Sequence, residues 1–507
     1  FCILKGLPKT SRFELGECLN DVGGYFIIDG KEKTIVSQEK FGDNMVYIKK
    51  HDDKEEPTYL TTAEIKSVSE NVSKPRRNLV LGIVNPTKQY SNKQIVVKIP
   101  NVRSDIPLFI LFRALGILSD KKIIEYCLLD IEKYEEFVDF FQPSVHDGNF
   151  VYNQNDALFY IGTLTKGKTM HHALEILTDY FLPHIGETNF NEKAYFLGNM
   201  VFDLLKVHKN IQTPTDRDHF KFKRIDLVGS LMYDLFRDYY SIQQRKIQQD
   251  LEKIVYFNQN IYAKNMYGLI MQNRPIFNQK MVEEGFRKAM KGNWGAYSHT
   301  KKVGIVQDLN RLSFNSMISH LRKTNLPMDA TAKVVGPRVL HGSHWGFIDP
   351  IDTPDGGNIG LHKHMAISSY ISQPYSRTLI IEWLKEKVAL KPINDYALPV
   401  IAKKVKVFVN GYWCGVIDEP YETIEKIKLF RRNGLIPIFT SVSFDVKSKS
   451  INIYTDGGRI CRPIFYYDEN KKKFSYENEE LLELIQNNEI SWSQLLTGWN
   501  EKKINFN

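Results

Sequence analysis

The chain has 507 residues, 42% of them hydrophobic and 25% charged, fractions that exclude wholesale disorder, a collagen-type repeat and a pure coiled coil. Lys+Arg 68 against Asp+Glu 59 leaves a net +9, an excess that fits a nucleic-acid partner without demanding one. The length suggests three or four domains, and no uninterrupted apolar run of about 18 residues marks a membrane span.

The start, Phe1-Cys2-Ile3-Leu4-Lys5, shows neither an initiator Met nor a signal peptide and reads as the interior of a longer chain. Gly23 to Val36 predicts a hairpin whose strands meet across Asp29-Gly30, a favoured tight-turn dipeptide. The charged stretch from His51 to Glu56 predicts a boundary, and Leu79 to Ile99 a second strand-rich patch with a loop at Asn85-Pro86. Helices are expected from Pro107 to about Arg224. Leu108 to Leu118 is apolar on every face except Arg113, and Ser119-Asp120 is placed to cap the next helix. From Ile225 to Met290 the spacing of Leu227, Leu231, Leu235 and Phe236 is again helical. An amphipathic helix is expected over residues 305 to 326, ending before Pro327, and a Gly-, Pro- and His-rich region over 327 to 362. Strands are expected at Val405-Val409, Ile451-Tyr454 and Ile460-Tyr466, Pro463 confining the last to an edge. A turn at Asp456-Gly457-Gly458, a charge run at Lys471-Lys472-Lys473 and a short helix over Glu479 to Ile485 complete the pattern. The class is multidomain α+β, with mixed helical and β-strand domains.

The five cysteines, Cys2, Cys18, Cys127, Cys414 and Cys461, form no CxxC pair and read as reduced core residues of an intracellular protein. On the expected helix Gln307, Asn310 and Arg311 share one face, and His320, Lys323 and Thr324 repeat the pattern. Amide, guanidinium and hydroxyl donors in that arrangement suit phosphate and sugar oxygens. A solvated helix face answers the same description. The loop Ala332 to Arg338, with Lys333 and Arg338, and the loop Tyr297 to Lys302, with Lys301 and Lys302, are basic segments of the kind that track a nucleic-acid backbone. His341, His344, His362 and His364 have spacings that match no zinc pattern, and Asp349, Asp352 and Asp355 are interrupted by Pro350 and Pro354 and read as turn-capping groups. No phosphate loop, nucleophile elbow or HExxH motif is present.

The segment His344-Trp345-Gly346-Phe347-Ile348-Asp349-Pro350-Ile351-Asp352-Thr353-Pro354-Asp355-Gly356-Gly357-Asn358-Ile359-Gly360-Leu361 resembles the H-[WY]-G-x-x-C-P-x-E-T-P-E-G-x-x-x-G-L signature of the second-largest, β-like subunit of multisubunit DNA-directed RNA polymerases. Gly23 to Glu39, Asp105-Ile106-Pro107 with Phe112 to Gly116, Asp216 to Phe220 with Lys223-Arg224, Gly292 to Gly295, Ser319 to Asn325, Val409-Asn410-Gly411 and Thr455 to Arg459 resemble other family motifs in the family's order.

The resemblance implies a protrusion split between 1–50 and 224–291, a lobe at 51–223, a fork at 292–371 and external domains at 372–507. It implies a part in DNA-templated RNA synthesis from nucleoside triphosphates, with DNA template, nascent RNA, the largest subunit and smaller subunits as partners and no membrane. Gln307, Asn310, Arg311, His320, Arg322 and Lys323 would line the surface facing the RNA–DNA hybrid. Lys301 and Lys302 would sit in a first fork loop and Lys333 and Arg338 in a second, with Asp352 and Asp355 on the active-centre rim. No catalytic residue or metal ligand is expected here, since the family's Mg2+ ligands, zinc site and hybrid-binding lysines lie outside these 507 residues. The location implied is intracellular: the nucleus, or host cytoplasm or virion for a viral chain. Asp352 and Asp355 stand where the family has Glu, Asp349 where it has Cys, and Lys323 where it has Arg, which keeps the charge but loses a planar bidentate fork. A non-catalytic nucleic-acid-binding or assembly module and a decayed structural paralogue are the competing readings.

Overall fold

The computed structural model describes residues 7–51, 58–71, 74–86, 92–262, 266–298, 301–464, 467–468, 472–474, 479–487 and 489. The chain is multidomain α+β and divides into two compact units, each made of separated stretches: Phe1–Lys40 with Lys223–Ile371, and Phe41–Phe222 with Ser372–Asn507.

In the first unit the expected hairpin forms. Strands Phe26–Ile28 and Lys31–Ile35 pair antiparallel with Ile28 opposite Lys31, and the two linking residues have positive φ, Asp29 at 49° and Gly30 at 76°. That is the mirror-image turn whose twist suits paired strands and which a Gly tolerates without strain. Val306–Asp308 adds a third strand against Lys31–Ile35. A second sheet has the order His362–His364, Lys323–Asn325, Ser37–Phe41, Lys223–Asp226, with Lys323–Asn325 parallel to the Ser37 strand and antiparallel to the His362 strand. The long helix Val228–Phe257 and the helix Met281–Met290 bury Leu231, Leu235, Ala289 and Met290 against Ile35, Trp294 and Ile305. Gly285 permits that packing, because a Cβ there would stand 2.5 Å from the Tyr239 ring. Leu227 and Phe236, expected in the same stripe, are exposed instead. Leu227 precedes the first helical turn, and Phe236 stacks on Tyr240 along the outer face.

The continuous helix expected over 305 to 326 does not exist. The segment is strand Val306–Asp308, a turn, helix Phe314–Leu321 and strand Lys323–Asn325. Val306–Asp308 joins the edge of one sheet and Lys323–Asn325 lies between two strands of another, and pairing across a sheet outweighs a weak helical pattern. Ser313 starts the short helix with a reciprocal capping box to Ser316.

In the second unit five antiparallel strands run in the order Val46–Lys50, Tyr59–Ser67, Arg77–Val84, Ile95–Lys98, Ile106–Pro107. Strands Val46–Lys50 and Tyr59–Ser67, which flank the charged stretch from His51 to Glu56, pair with each other; residues 52–57 lie outside the described residues. Helix Leu108–Ala114 is buried along its entire length, including Arg113. It packs with helix Phe190–His208 and its neighbours in one large apolar core, where each fully buried Leu, Ile or Phe contributes roughly 1.5–3 kcal/mol. Ser119 precedes helix Asp120–Leu128 without donating or accepting a capping bond. A second sheet, in the order Tyr412–Ile417, Val405–Val409, Ser450–Tyr454, Ser441–Asp445, encloses its own core. Only Ile460–Cys461 of the expected 460–466 strand is paired, with residues 465 and 466 outside the described residues. Helix Glu479–Gln486 is present, and the 471–473 run falls partly outside the described residues, with Lys473–Phe474 in a short strand. Cys127 and Cys414 are core residues, but Cys18 is exposed.

Candidate nucleic-acid interface

Although no common helix carries them, Gln307, Asn310 and His320 meet. The His320 ring accepts at Nδ1 from the Asn310 backbone N–H (3.1 Å) and reaches Gln307 Oε1 from Nε2 (3.0 Å). These partners fix a neutral ring with the proton on Nε2. Burial, then the charges of Lys323 and His364, hold its pKa below the usual histidine value. Gln307 also donates to the Gly304 carbonyl (2.9 Å), and Asn310 Oδ1 accepts from the Leu312 N–H and the Ser316 hydroxyl. The three side chains brace one another and the turn between strand and helix.

The arginines are equally committed. Arg311 makes a two-bond fork to Glu32, at 2.9 and 2.7 Å, and lies over the Tyr25 ring. Arg322 donates to the carbonyls of Ala366 (2.5 Å) and Ser369 (3.1 Å). Arg338 donates to the carbonyls of Gly357 (2.6 Å), Ile359 (3.0 Å) and Ala330 (2.7 Å). Gly360 beside it has φ 72°, and a Cβ there would stand 2.2 Å from the Arg338 carbonyl oxygen. Each guanidinium satisfies backbone or carboxylate groups that loops leave unpaired.

The lysines differ. Lys301, Lys302 and Lys333 are exposed, and among the described residues their side chains have no hydrogen bond or ion pair. Lys323 is half-buried and likewise unbonded. Burial lowers its pKa, with the Asp352 charge opposing. Asp352 accepts from the Ser319 hydroxyl (2.5 Å) and pairs with His364 Nδ1 (3.2 Å). Asp349 caps its turn, accepting from the N–H groups of Ile351 (2.9 Å) and Asp352 (3.3 Å). Asp355 is exposed and makes no capping bond to the short turn after it.

Sequence reading missed an ionic cluster under this surface. Glu39, 1% exposed, lies between Lys223 (3.1 Å) and Lys363 (3.0 Å) on three strands of one sheet. Burial alone would raise the Glu39 carboxyl; Lys363 and Lys223 outweigh it and hold it below the usual range. Alternation was the available signal: in both Lys323-Thr324-Asn325 and His362-Lys363-His364 the middle residue points opposite to its neighbours, and Thr324 and Lys363 are buried, as is His364 on the other side.

Models of RNA polymerase Rpb2 domains match in chain order: domain 2 over residues 43–226, domain 3 over 307–371 and domain 4 over 407–468. This chain belongs to the Rpb2 family. It is 36% identical to the DNA-directed RNA polymerase II subunit RPB2 of Encephalitozoon cuniculi, over 98% of this chain and 42% of that protein. The Schizosaccharomyces pombe subunit of the same name is 35% identical over 93% of this chain and 39% of its own length. The Rpo2 subunit of the Saccharolobus solfataricus DNA-directed RNA polymerase is 28% identical, over 93% and 41%. The chain therefore spans about two fifths of the length of these Rpb2-family relatives. The domain 2 match begins and ends within a few residues of the first stretch of the second compact unit, Phe41–Phe222. The domain 3 match holds the braced residues, the aspartates, Lys323 and Lys333.

Proposed function

We propose that this chain is part of a DNA-directed RNA polymerase that extends RNA from nucleoside triphosphates on a DNA template. In this reading it supplies the protrusion, lobe, fork and external regions of the second-largest subunit. Residues 292–371 face the RNA–DNA hybrid and downstream DNA. The observation that carries the reading is the domain 3 match over 307–371, coinciding with a surface whose amides and arginines are internally braced while its lysines stay unpaired. Unpaired ammonium groups on a braced frame suit phosphate contacts that position a strand without reading its sequence. The largest and smaller polymerase subunits complete the enzyme, in the nucleus or, for a viral chain, in host cytoplasm or virion.

The polymerase reaction uses Mg2+, which neutralises charge on the reacting phosphates. The residues present do not fit that ion. Asp349 is spent on a turn and Asp352 on Ser319 and His364, and no group of three or more His, Cys, Asp or Glu placed to hold a metal stands among the described residues. Its ligands, and those of a zinc site, belong to other parts of the complex, and this chain's share is to bind and orient nucleic acid.

A photo-crosslinking residue at position 333 of the assembled polymerase tests the reading. Crosslinks to template DNA or nascent RNA are expected; crosslinks to protein alone would sink it.

A further inference from the structure

Lys323 and His362 stand on the same face of one sheet. The register pairs Lys323 with His364 and Asn325 with His362, so all four side chains leave the sheet on one side, and Lys323 and His362 are diagonal neighbours about 7 Å apart. The other nearby imidazoles are locked: His320 by Gln307 and Asn310, His364 by Asp352, His341 by Ser343, and His344 by the His341 N–H. The His362 ring makes no hydrogen bond among the described residues, and its Nδ1 is both buried and unanswered. Lys323 beside it has no bonded partner among the described residues, and the carboxylate facing it, Asp352, is engaged by Ser319 and His364. Two unlocked nitrogen groups on one face, beside a carboxylate already satisfied, leave unmet demand for an anion's oxygens.

We propose that Lys323 and His362 together hold one phosphate group, the ammonium donating at all working pH values and the imidazole becoming a charged donor once protonated. The inference rests on the hybrid-facing reading of this surface and extends it to a histidine that reading does not use. A phosphate with two oxygens about 2.5 Å apart spans the gap through two ordinary hydrogen bonds. Burial, then the Lys323 and His364 charges, hold His362 at about 4; a bound phosphate supplies the opposing charge and raises it. Besides Lys323 and His364, His320 and Asp352 face the cluster. Contact with the phosphate thus tightens as pH falls, by up to about tenfold for each unit the phosphate raises His362.

The test is affinity of the full chain for a short RNA–DNA hybrid, and separately for a nucleoside triphosphate, between pH 5.5 and 8. His362→Leu is expected to flatten the pH dependence and leave affinity at pH 8 within about twofold. Lys323→Ala weakens binding at every pH and reduces the salt slope by about one, and His362→Lys holds the tight form at pH 8. Hybrid binding whose pH dependence survives His362→Leu overturns the phosphate site and leaves the polymerase reading intact. Triphosphate binding alone, with the His362 dependence, keeps the site and overturns its assignment to the hybrid. Failure to bind either probe overturns both.

Discussion

The helical layer around Arg113 and the loop-rich surface around Lys333 follow opposite packing rules. Arg113, 1% exposed, is surrounded by apolar side chains and gives its donors to the carbonyls of Gly148 and Val151 and to Asp120. Lys333 touches no partner among the described residues. Both lie in motif-bearing regions. Arg113 belongs to a family-like motif, Phe112 to Gly116, yet its chemistry is entirely internal. A cation in a recognisable motif therefore has two fates: it either satisfies carbonyls that the fold leaves over, or stays unpaired and available. Arg311, Arg322 and Arg338 follow Arg113, and the lysines follow Lys333.

The comparison is tested most severely under the surface. Glu39→Gln leaves Lys223 and Lys363 buried without their counter-charge, and a loss of about 3–5 kcal/mol is expected. Hydrogen exchange at the amides of Lys323 to Asn325 reads it; a loss under about 1 kcal/mol would mean the cluster is not ionic in the fold. Arg113→Met removes the donor to the Val151 carbonyl, while the Gly148 carbonyl keeps the Val151 N–H and the part-exposed Asp120 keeps water, and should cost roughly 1–3 kcal/mol in denaturant unfolding. An unchanged midpoint would show that the layer tolerates an apolar chain there.

Acid separates the buried groups next. His184 is fully buried against Ser67 (2.7 Å). Burial, then Arg377 and Lys193, depress its pKa from 6.5 to about 3. Its native form stays neutral while the unfolded chain takes up a proton, so its contribution is intact above pH 6.5 and is lost as pH falls toward 3. Unfolding of the second unit followed from pH 7 to 4 should show this slope, and His184→Asn should flatten it; a parent curve already flat would contradict the assignment. The smallest effect belongs to the free cation. Lys333→Ala should change stability by less than about 0.5 kcal/mol, yet reduce the salt slope of hybrid binding by about one. A stability loss with no change in slope would reverse its place in the comparison.

Much of this was legible from residues alone. The Asp29-Gly30 turn, the buried 108–114 helix and the 405–409 and 450–454 strands follow from local rules: turn chemistry, all-round apolarity, alternation. The 305–326 segment misled because its apolar spacing fits a helix while its ends are claimed by strands about 270 to 290 and about 40 residues away in sequence. The site was legible as a set of residue types, but the division of labour within it was not.

What the sequence determined by itself is family, fold class and the basic, amide-rich character of residues 301–338, because these depend on composition, motif order and short-range pattern. Tertiary structure alone decided which charges are spent and which are free. Glu39, Lys223 and Lys363 are 184 and 140 residues apart along the chain, and they become one cluster only when four strands are paired, Lys323–Asn325 lying between those of Lys363 and Glu39. A charge's partner is set by distances of about 3 Å in space, to which separation along the chain is blind.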